Sequence, residues 1–394
     1  MSGGNPMRFA DYLILEGGNV EATNKLGHSK YADKIDLRKF KITDFRNEFY
    51  NLFKELNKKY KSKFKELLWA NETILKNGVA FNGSTSYIMN PELDPEEILK
   101  HKTHAGDLDI MIPKEAMTNL WDLLHSLEGK KIGNFTYFGN NRPNRDATGT
   151  QINSLFIYHH KEGDISCQID FEASEFENHQ PTDWARFSHG SSFEDAQVGI
   201  KALHHKLLLR AMVGAMSANP NIVIATPAST AEKVTLKKST EVPRMQQFSV
   251  DRGLGFGLEP LLDKNGNIVV MNGKQVYKEK KGDANRYVQD LGEIFQHIFK
   301  TKENMSKFHS FVGIIELIKK HCDKKTIADT HKRYFEILFG KSAQVIESFS
   351  PEDDAQVKLA GFNYFLKHLG LKHPTLNKDV EAYYELKKSA FRQR

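Results

Sequence analysis

Residues 107–112 carry the sequence DLDIMI, a short run in which acidic and aliphatic side chains alternate. On a β-strand, successive side chains point to opposite faces of the sheet. The aliphatic residues are therefore expected to face a core, with Asp107 and Asp109 side by side on the other face. Two carboxylates this close raise each other's pKa unless a cation lies between them. The run thus predicts a strand with a cation site on its polar face.

A second alternating run, QIDFE at residues 168–172, places Asp170 on the same face as the two ends of the run. If this strand pairs beside the first, Asp170 joins Asp107 and Asp109 as a third ligand. Mg²⁺ prefers a few carboxylates plus substrate phosphates, and three carboxylates can hold two such ions about 3.5–4 Å apart. We therefore predict a site for two Mg²⁺ ions, which Mn²⁺ could replace, with Asp170 as the candidate base. The alternative is a polar sheet face without a ligand.

Residues 81–86 read FNGSTS and lie between a short predicted strand, 79–82, and a predicted helix start. Glycine permits close approach of the backbone to a ligand, and the amides and hydroxyls at a helix N-terminus suit phosphate oxygens. Gly83, Ser84 and Thr85 are therefore candidates for nucleotide binding, and the alternative is an ordinary helix cap. No GxxxxGK[ST] motif occurs in the sequence, which disfavours a P-loop ATPase.

Gly-Ser, then Asp-x-Asp, then an apolar-flanked Asp on a later strand occur in this order along the chain. In this respect the sequence resembles the DNA polymerase beta-like nucleotidyltransferase superfamily over residues 79–210. The resemblance implies an enzyme that moves a nucleoside monophosphate from a nucleoside triphosphate to an acceptor hydroxyl. It also implies that Gly83 and Ser84 bind the triphosphate, and that Asp107, Asp109 and Asp170 bind two Mg²⁺ ions.

Four basic residues are further candidates for contacts with the nucleotide. Arg142 and Arg145 lie in a turn-rich loop before the predicted hairpin, and Lys201 and Lys206 lie on the predicted helix after the strand of Asp170. A lysine serves phosphate as a point charge, and an arginine binds it with two parallel N–H groups. The alternative for all four is an ordinary surface cation.

Two segments are interpreted as loops. The spacing between Ser84 and Asp107 is longer than the superfamily usually shows, and residues 91–104 are interpreted as an inserted loop that could act as a lid. Residues 251–260, DRGLGFGLEP, contain a GxGxG pattern. Without a strand–helix setting, this pattern predicts a flexible β-turn rather than a cofactor loop.

The element pattern predicts an α+β protein: a nucleotidyltransferase palm, which is a small mixed sheet flanked by helices, with a β-containing insert and a helical C-terminal domain. Residues 154–159 and 165–172 form a predicted hairpin around the turn at residues 161–163. Apolar residues at helical spacing from Thr43 predict a long amphipathic helix, with Thr43 or Asp44 as its N-cap. The predicted domains are an N-terminal lead-in with this helix (1–64), the palm (65–215), the insert (216–285) and the helical domain (286–394). Further predicted helices cover 117–127 and a stretch from Ser191 or Ser192 through 213.

Composition sets the class of protein and of partner. Of 394 residues, 39% are hydrophobic and 27% charged, which is ordinary for a globular chain, and no apolar run approaches the roughly 20 residues that span a bilayer. The start of the sequence lacks the pattern of a secretory signal. Only two cysteines occur, Cys167 and Cys322, far apart in sequence. These features predict a protein of a reducing compartment, the cytoplasm or, for a viral protein, the host cytoplasm, with no membrane partner.

The formal net charge of +6 is compatible with a polyanionic partner. Together with a lysine-rich face on the predicted helix of residues 43–68 and basic residues at 278–281, it favours RNA or tRNA as the acceptor of the nucleotide. A protein side chain or a small molecule remains an alternative acceptor. The alternative functions are a non-catalytic binding or virion-associated protein that keeps the palm as a scaffold, and a toxin-type nucleotidyltransferase that modifies tRNA or a protein.

Overall fold

The computed structural model describes residues 21–25, 27–66, 68, 75–140, 151–238, 242–250, 252–280, 287–343, 345 and 350–391. Helices and strands are mixed along the chain, and the predicted α+β class is confirmed. The chain divides into two compact units, Met1–Ala202 and Leu203–Arg394. The boundary therefore lies ahead of a helix that the sequence analysis assigned to the first of these units. No helix among the described residues is both long enough and apolar enough to cross a bilayer.

The first unit consists of a central sheet with helices and short β-pairs around it. Its strands are β1 (Glu21–Thr23), β2 (Ser29–Tyr31), β3 (Ile35–Asp36), β4 (His104–Ala105), β5 (Asp107–Pro113), β6 (Lys131–Ile132), β7 (Phe135–Asn140), β8 (Gln151–His160), β9 (Gly163–Ser174), β10 (Phe176–Glu177) and β11 (Gln180–Pro181). Its helices are α1 (Ile42–Phe64), α2 (Thr85–Ile88), α3 (Pro95–His101), α4 (Met117–Ser126), α5 (Asp183–His189) and α6 (Phe193–Gln197).

The central sheet is mixed, with strand order β5-β9-β8-β7-β6. Strands β8 and β9 form the predicted antiparallel hairpin, in which His160 is opposite Gly163. Strand β5 pairs with β9 in parallel, which sets Asp109 opposite Asp170. The chain just before α2 runs along the other edge of β5, where the Asn82 N–H donates to the Asp109 carbonyl over 3.0 Å. The sheet thus brings three separate segments of sequence to one edge.

One face of the sheet forms the core of the first unit. Leu108, Ile110 and Ile112 are at most 1% exposed, as the alternating pattern predicted, and belong to one apolar cluster with side chains of α1 and α4. Helix α1 contributes its apolar residues at helical spacing, including the fully buried Phe49 and Phe53. The polar face of β5 and β9 is left for the acidic side chains.

Several details of the first unit differ from the predictions. Residues 79–82, predicted as a strand, form an isolated bridge between Phe81 and Ile110. The lead-in before α1 contains short strands, since β1 and β2 pair within it and β3 pairs with β4. Helix α1 begins at Ile42, and its N-cap is Lys41, without a side-chain bond, two residues before the predicted Thr43 and three before Asp44. The helix predicted from Ser191 or Ser192 ends at Gln197, because Gly199 adopts a φ of +72° that a continuous helix excludes.

The second unit combines small sheets with a helical remainder. Its strands are β12 (Ile222–Ala225), β13 (Gln247–Ser249), β14 (Gly253–Gly255), β15 (Leu258–Pro260), β16 (Val270–Met271), β17 (Lys274–Glu279) and β18 (Tyr287–Val288). Its helices are α7 (Leu203–Met216), α8 (Leu291–Phe299), α9 (Phe311–His321), α10 (Lys324–Phe339), α11 (Pro351–Leu369) and α12 (Leu376–Phe391).

Two sheets make up the β-part of this unit. In one, β17 pairs with β12 in parallel and with β15 and β16 in antiparallel fashion. The turn before β17 contains Asn272 and Gly273, with φ values of +51° and +74°. In the other sheet, β14 lies between β13 and β18. The predicted flexible turn around Gly253 is therefore wrong, because residues 253–255 are the central strand of a sheet.

Candidate metal centre and its cleft

The carboxylates of Asp107, Asp109 and Asp170 converge on the polar face of β5 and β9. One oxygen from each lies within 4.8 Å of the others. The two aspartates of β5 are two residues apart and so share a face, and Asp170 reaches it because β9 pairs in the register that sets it beside Asp109. The predicted convergence of the three side chains is confirmed. Asp170 is buried and the other two are half-buried.

Burial and mutual repulsion make this cluster electrostatically unfavourable when it is charged. Burial raises the pKa of Asp109 well above its ordinary value, and the neighbouring charges of Asp107, Glu172 and Asp170 raise it further. Burial also raises the pKa of Asp107, against the attraction of Lys102. The pKa of Asp170 is raised to about 7, again mainly by burial. A cation placed among the three carboxylates would reverse this penalty.

Amide side chains on the same face hold Asp170 in place. Gln168 Nε2 donates to both oxygens of Asp170, over 3.1 and 2.9 Å, and Gln151 Nε2 donates to Oδ2 over 3.2 Å. These donors stabilise the ionised form of the carboxylate and limit its rotation. Gln168 lies on this face as the alternating run predicted, whereas the contribution of Gln151 from β8 was not predicted.

A second polar group lies next to the triad. Asn82 Nδ2 donates to Glu172 Oε2, and Glu172 also lies 3.5 Å from Nδ1 of His189. The Oδ1 of Asn82 and the Oε1 of Gln168 are buried and accept no hydrogen bond from the described part of the chain. Buried acceptors of this kind are normally satisfied by a donor, a bound water or an ion.

Gly83 lets the backbone pass directly beside the carboxylate of Asp109. Its φ is +47°, and a β-carbon added at this position would lie 2.5 Å from Asp109 Oδ2. The N–H of Gly83 donates to the carbonyl of His189 over 3.2 Å and is therefore engaged within the protein. The structure thus supports close packing against Asp109 as the reason for a glycine at this position.

Thr85 also contacts Asp109. It is fully buried, and its Oγ1 accepts a hydrogen bond of 2.9 Å from the backbone N–H of Asp109. Helix α2, which it begins, is four residues long, so the expected anion site at a helix N-terminus has only a single turn of helix behind it. In this structure Thr85 holds the backbone of β5 in position.

A cleft beside the triad contains two lysines and three serines. Its lining includes Ser84 from the predicted Gly-Ser turn, Lys102 and Lys201, and also Ser191 and Ser192. Burial lowers the pKa of Lys102 to about 7, although Asp107 and Asp109 oppose this shift. Burial also lowers the pKa of Lys201 to about 8, against the attraction of Asp107. The cleft therefore offers ammonium and hydroxyl groups next to a cluster of carboxylates.

The other predicted phosphate-binding cations are not among the described residues that line this cleft. Lys206 is on α7 in the second unit, and it does not line this cleft. Arg142 and Arg145 lie outside the described residues. The segment 91–104, which was interpreted as an inserted loop, contains helix α3, and Asp94 caps this helix by accepting a bond from the Glu96 N–H. Because the segment was interpreted as a loop, its Lys102 was not predicted as a site residue.

The donor set is suited to a divalent cation. Oxygen ligands on opposite sides of one Mg²⁺ ion are roughly 4.2 Å apart, twice the usual bond length, so the spread of at most 4.8 Å needs little side-chain adjustment. When they are ionised, the triad and Glu172 carry four negative charges, which Lys102 and Lys201 balance only by half. Comparison of the chain with protein-family models, with curated proteins and with solved structures gave no match.

Proposed function

We propose that the first unit is a magnesium-dependent nucleotidyltransferase with a palm fold, which moves a nucleoside monophosphate from a nucleoside triphosphate to an acceptor hydroxyl. One observation carries this proposal: three carboxylates from two neighbouring strands lie within 4.8 Å of one another. A lysine-lined cleft beside them supports it, since a triphosphate substrate needs cations next to the metal ligands.

The metal ligands in this proposal are Asp107, Asp109 and Asp170. When bound, two Mg²⁺ ions would neutralise charge on the triphosphate and lower the pKa of the attacking hydroxyl. The excess of carboxylates over ammonium groups fits a site that takes up a cation, and so do the two buried amide oxygens that have no donor in the described part of the chain. A carboxylate cluster whose charge was already balanced by the chain's own cations would not need to bind a metal ion.

The chain's own residues bind and orient the substrate. Lys102 and Lys201 contact phosphate oxygens as point charges, and the hydroxyl of Ser84 adds a neutral donor in the same cleft. Because Gly83 has no β-carbon, its backbone can pack beside Asp109 without displacing the carboxylate from its position among the proposed metal ligands. Asp170, held by Gln168, accepts the proton of the acceptor hydroxyl, whose oxygen bonds to the α-phosphorus as the bond to the leaving pyrophosphate breaks. Catalysis then comes mainly from positioning and from neutralising charge.

We propose RNA or tRNA as the acceptor. The chain has a formal net charge of +6, and α1 presents lysines on the face opposite its buried side chains. The exposed lysines on that face are Lys54, Lys58 and Lys61; Lys63 is exposed in the last turn of α1, Lys65 directly follows the helix, and Lys59 is half-buried. Such a face supplies the salt-dependent, sequence-independent part of nucleic-acid binding.

The test is nucleotide transfer by purified full-length protein. Labelled nucleoside triphosphates are incubated with Mg²⁺ and a pool of RNA, and label in the RNA is measured for the wild type and for Asp107→Asn and Asp170→Asn. Loss of a metal ligand should lower the rate by at least about 100-fold, as for other losses of transition-state charge stabilisation. Asp164→Asn is the matched control, because Asp164 lies on the same strand as Asp170 but is exposed and bonded to His159.

Two results would count against the proposal. Equal transfer by the two variants and by Asp164→Asn would show that the triad is not the catalytic site. Absence of Mg²⁺-dependent binding of any nucleoside triphosphate in a calorimetric titration of the wild type would exclude the nucleotidyltransferase itself.

A further inference from the structure

The second unit contains a pocket that the proposed reaction does not use. Its volume is about 490 Å³, within the range of sites for small organic ligands. Four arginines line it: Arg210, Arg244, Arg252 and Arg333. Among the described lining residues the one carboxylate is Glu279, which lies 2.7 Å from Nζ of Lys237.

The basic residues described in this pocket are all arginines. The second unit is rich in lysine, yet no lysine is among the described residues that line the pocket. By contrast, every arginine of this unit that the structure describes lines it. Arginine differs from lysine in its planar fork of N–H groups, which binds two oxygens of one phosphate or carboxylate at once. This distribution points to recognition of an oxyanion rather than to general surface charge.

Two of the guanidinium groups converge at one point on α7. Gly214 lies one turn after Arg210, and a β-carbon added to it would be 3.6 Å from Nε of Arg244 and 3.6 Å from Nε of Arg333. The two nitrogen atoms are therefore at most about 7 Å apart. Arg333 also pairs with Glu336 over 3.0 Å, and its side chain is 23% exposed. Like charges held this close in a pocket favour an anion between them.

Stacking fixes another arginine of the pocket, Arg252. The guanidinium carbon of Arg252 lies 4.6 Å from the centre of the Tyr287 ring. That ring packs on Gly255, where an added β-carbon would lie 2.5 Å from it, and Gln247 donates to its hydroxyl over 2.8 Å. The sheet β13-β14-β18 thus holds Arg252 and Tyr287 in place before any ligand binds, which lowers the entropic cost of binding.

We infer that this pocket binds a phosphate-bearing ligand of nucleotide size, with its phosphoryl oxygens between Arg210, Arg244 and Arg333. The proposal does not depend on catalysis at the triad, because all of its residues belong to the second unit. Phosphate groups occur on free nucleotides and on the ends of RNA, and both present the same chemistry to the arginines.

The experiment measures binding of four probes to full-length protein: pyrophosphate, ATP, and one RNA oligonucleotide with and without a 5′-phosphate. EDTA is present and the triad carries Asp107→Asn with Asp109→Asn, so that a metal-dependent site in the first unit does not contribute. The test variant is Arg210→Gln with Arg333→Gln. The control removes two exposed lysines of the same unit, Lys264→Gln with Lys274→Gln.

Loss of two charge-assisted contacts should weaken binding of at least one phosphate probe about tenfold or more, with little change in the lysine control. A response to ATP or pyrophosphate assigns the pocket to small phosphates, and a response confined to 5′-phosphorylated RNA assigns it to RNA ends. The charge-retaining variant Arg210→Lys with Arg333→Lys should bind more weakly than the wild type, which guards against a fold defect in the glutamine variant. Equal binding of all four probes to the arginine variants and to the lysine control would overturn the inference.

Discussion

The two units treat buried charge in opposite ways. In the second unit, Asp354 on α11 is fully buried and lies 3.0 Å from Nζ of Lys358, one helical turn later. Tyr383 on α12 completes a closed group, since its hydroxyl donates to Asp354 over 2.6 Å and accepts from Lys358 over 2.7 Å. In the first unit, three carboxylates converge and Lys102 and Lys201 balance only part of their charge.

This difference separates a structural polar group from a binding site. A buried network in which every member has a partner makes its structure rigid and has no capacity left for a ligand. A buried cluster with an excess of one charge is unfavourable in isolation and gains stability only when a counter-ion binds. The contrast therefore predicts that substitutions will have opposite effects on stability in the two units.

The largest effect of a single substitution is expected from Lys358→Met. Removing the cation takes away the ion-pair partner of the fully buried Asp354, although Tyr383 still donates to it, which should lower the free energy of unfolding by about 3–5 kcal/mol. Chemical denaturation of the full-length protein measures this loss. Lys367→Met, at an exposed position of the same helix, should change stability by no more than about 0.5 kcal/mol. A midpoint for Lys358→Met equal to that of Lys367→Met would show that the ion pair does not stabilise the unit.

A second effect concerns the pH dependence of the second unit. Burial lowers the pKa of His204 to about 4 and that of His205 to about 3, and both rings are bonded as neutral groups, to the carbonyls of Val357 and Phe308. The unfolded chain takes up these protons below pH 6.5 while the folded unit does not. Stability should therefore fall by about 1.4 kcal/mol per pH unit for each histidine as the pH drops from 6.5 towards 4.

The metal-free first unit should show the opposite slope. Because burial raises the pKa of Asp170 to about 7, the folded state binds this proton more tightly than the unfolded state does. Stability from this group should increase as the pH falls from about 7 to 4. Denaturation curves in EDTA at several pH values, with separate spectroscopic probes for the two units, measure both slopes. If the stability of both units changed with pH in the same direction, the predicted contrast between the two units would be wrong.

A smaller effect is expected from Asp109→Asn. The neutral amide removes repulsion from Asp107, Asp170 and Glu172, so the metal-free protein should become more stable by about 1–2 kcal/mol. The same change should abolish stabilisation by Mg²⁺, which for the wild type amounts to about 2.7 kcal/mol at a hundred times the Kd. Thermal denaturation with and without Mg²⁺ tests both. A variant less stable than Asp164→Asn in EDTA would refute this account of the triad.

The smallest effect on stability is expected from Gly83→Ala, compared with Gly133→Ala. Both glycines have positive φ, +47° and +58°, so each substitution should cost about 1 kcal/mol. Only the new methyl at Gly83 meets Asp109, whereas an added β-carbon at Gly133 has no atom within 4 Å. Gly83→Ala should therefore weaken Mg²⁺ binding in a calorimetric titration, and Gly133→Ala should not. Equal affinities of the two variants for Mg²⁺ would show that Gly83 is not part of the metal site.

The sequence predicted those parts of the site that depend on local alternation. The period of two along DLDIMI and QIDFE determines which side chains share a face, and only the pairing of the two strands had to be assumed. The turn at residues 161–163 also predicted the hairpin of β8 and β9. The roles of Gly83 and Thr85 next to Asp109 were less accessible, because they depend on how the chain before α2 lies along the edge of β5.

Other parts could not be predicted because their residues are far apart in sequence or lie in short elements. Lys102 follows a helix of seven residues, which is too short to show a clear apolar period. The arginine pocket takes Arg210, Arg244 and Arg333 from separate elements, and no spacing pattern connects them. The GxGxG pattern was interpreted as a turn, since packing of Gly255 against Tyr287 is a tertiary contact.

The parallel pairing of β5 and β9 has a consequence for folding as well as for chemistry. It joins Asp109 to Asp170, which are 61 positions apart, so we expect it to form after local structure such as the hairpin. A sheet assembled one residue out of alignment would turn Asp170 towards the apolar side and bring Phe171 to the polar one. Burying a carboxylate among aliphatic and aromatic side chains is strongly unfavourable. The acid that we propose as a ligand for Mg²⁺ therefore also discriminates against misassembled sheets, before any ion or substrate has bound.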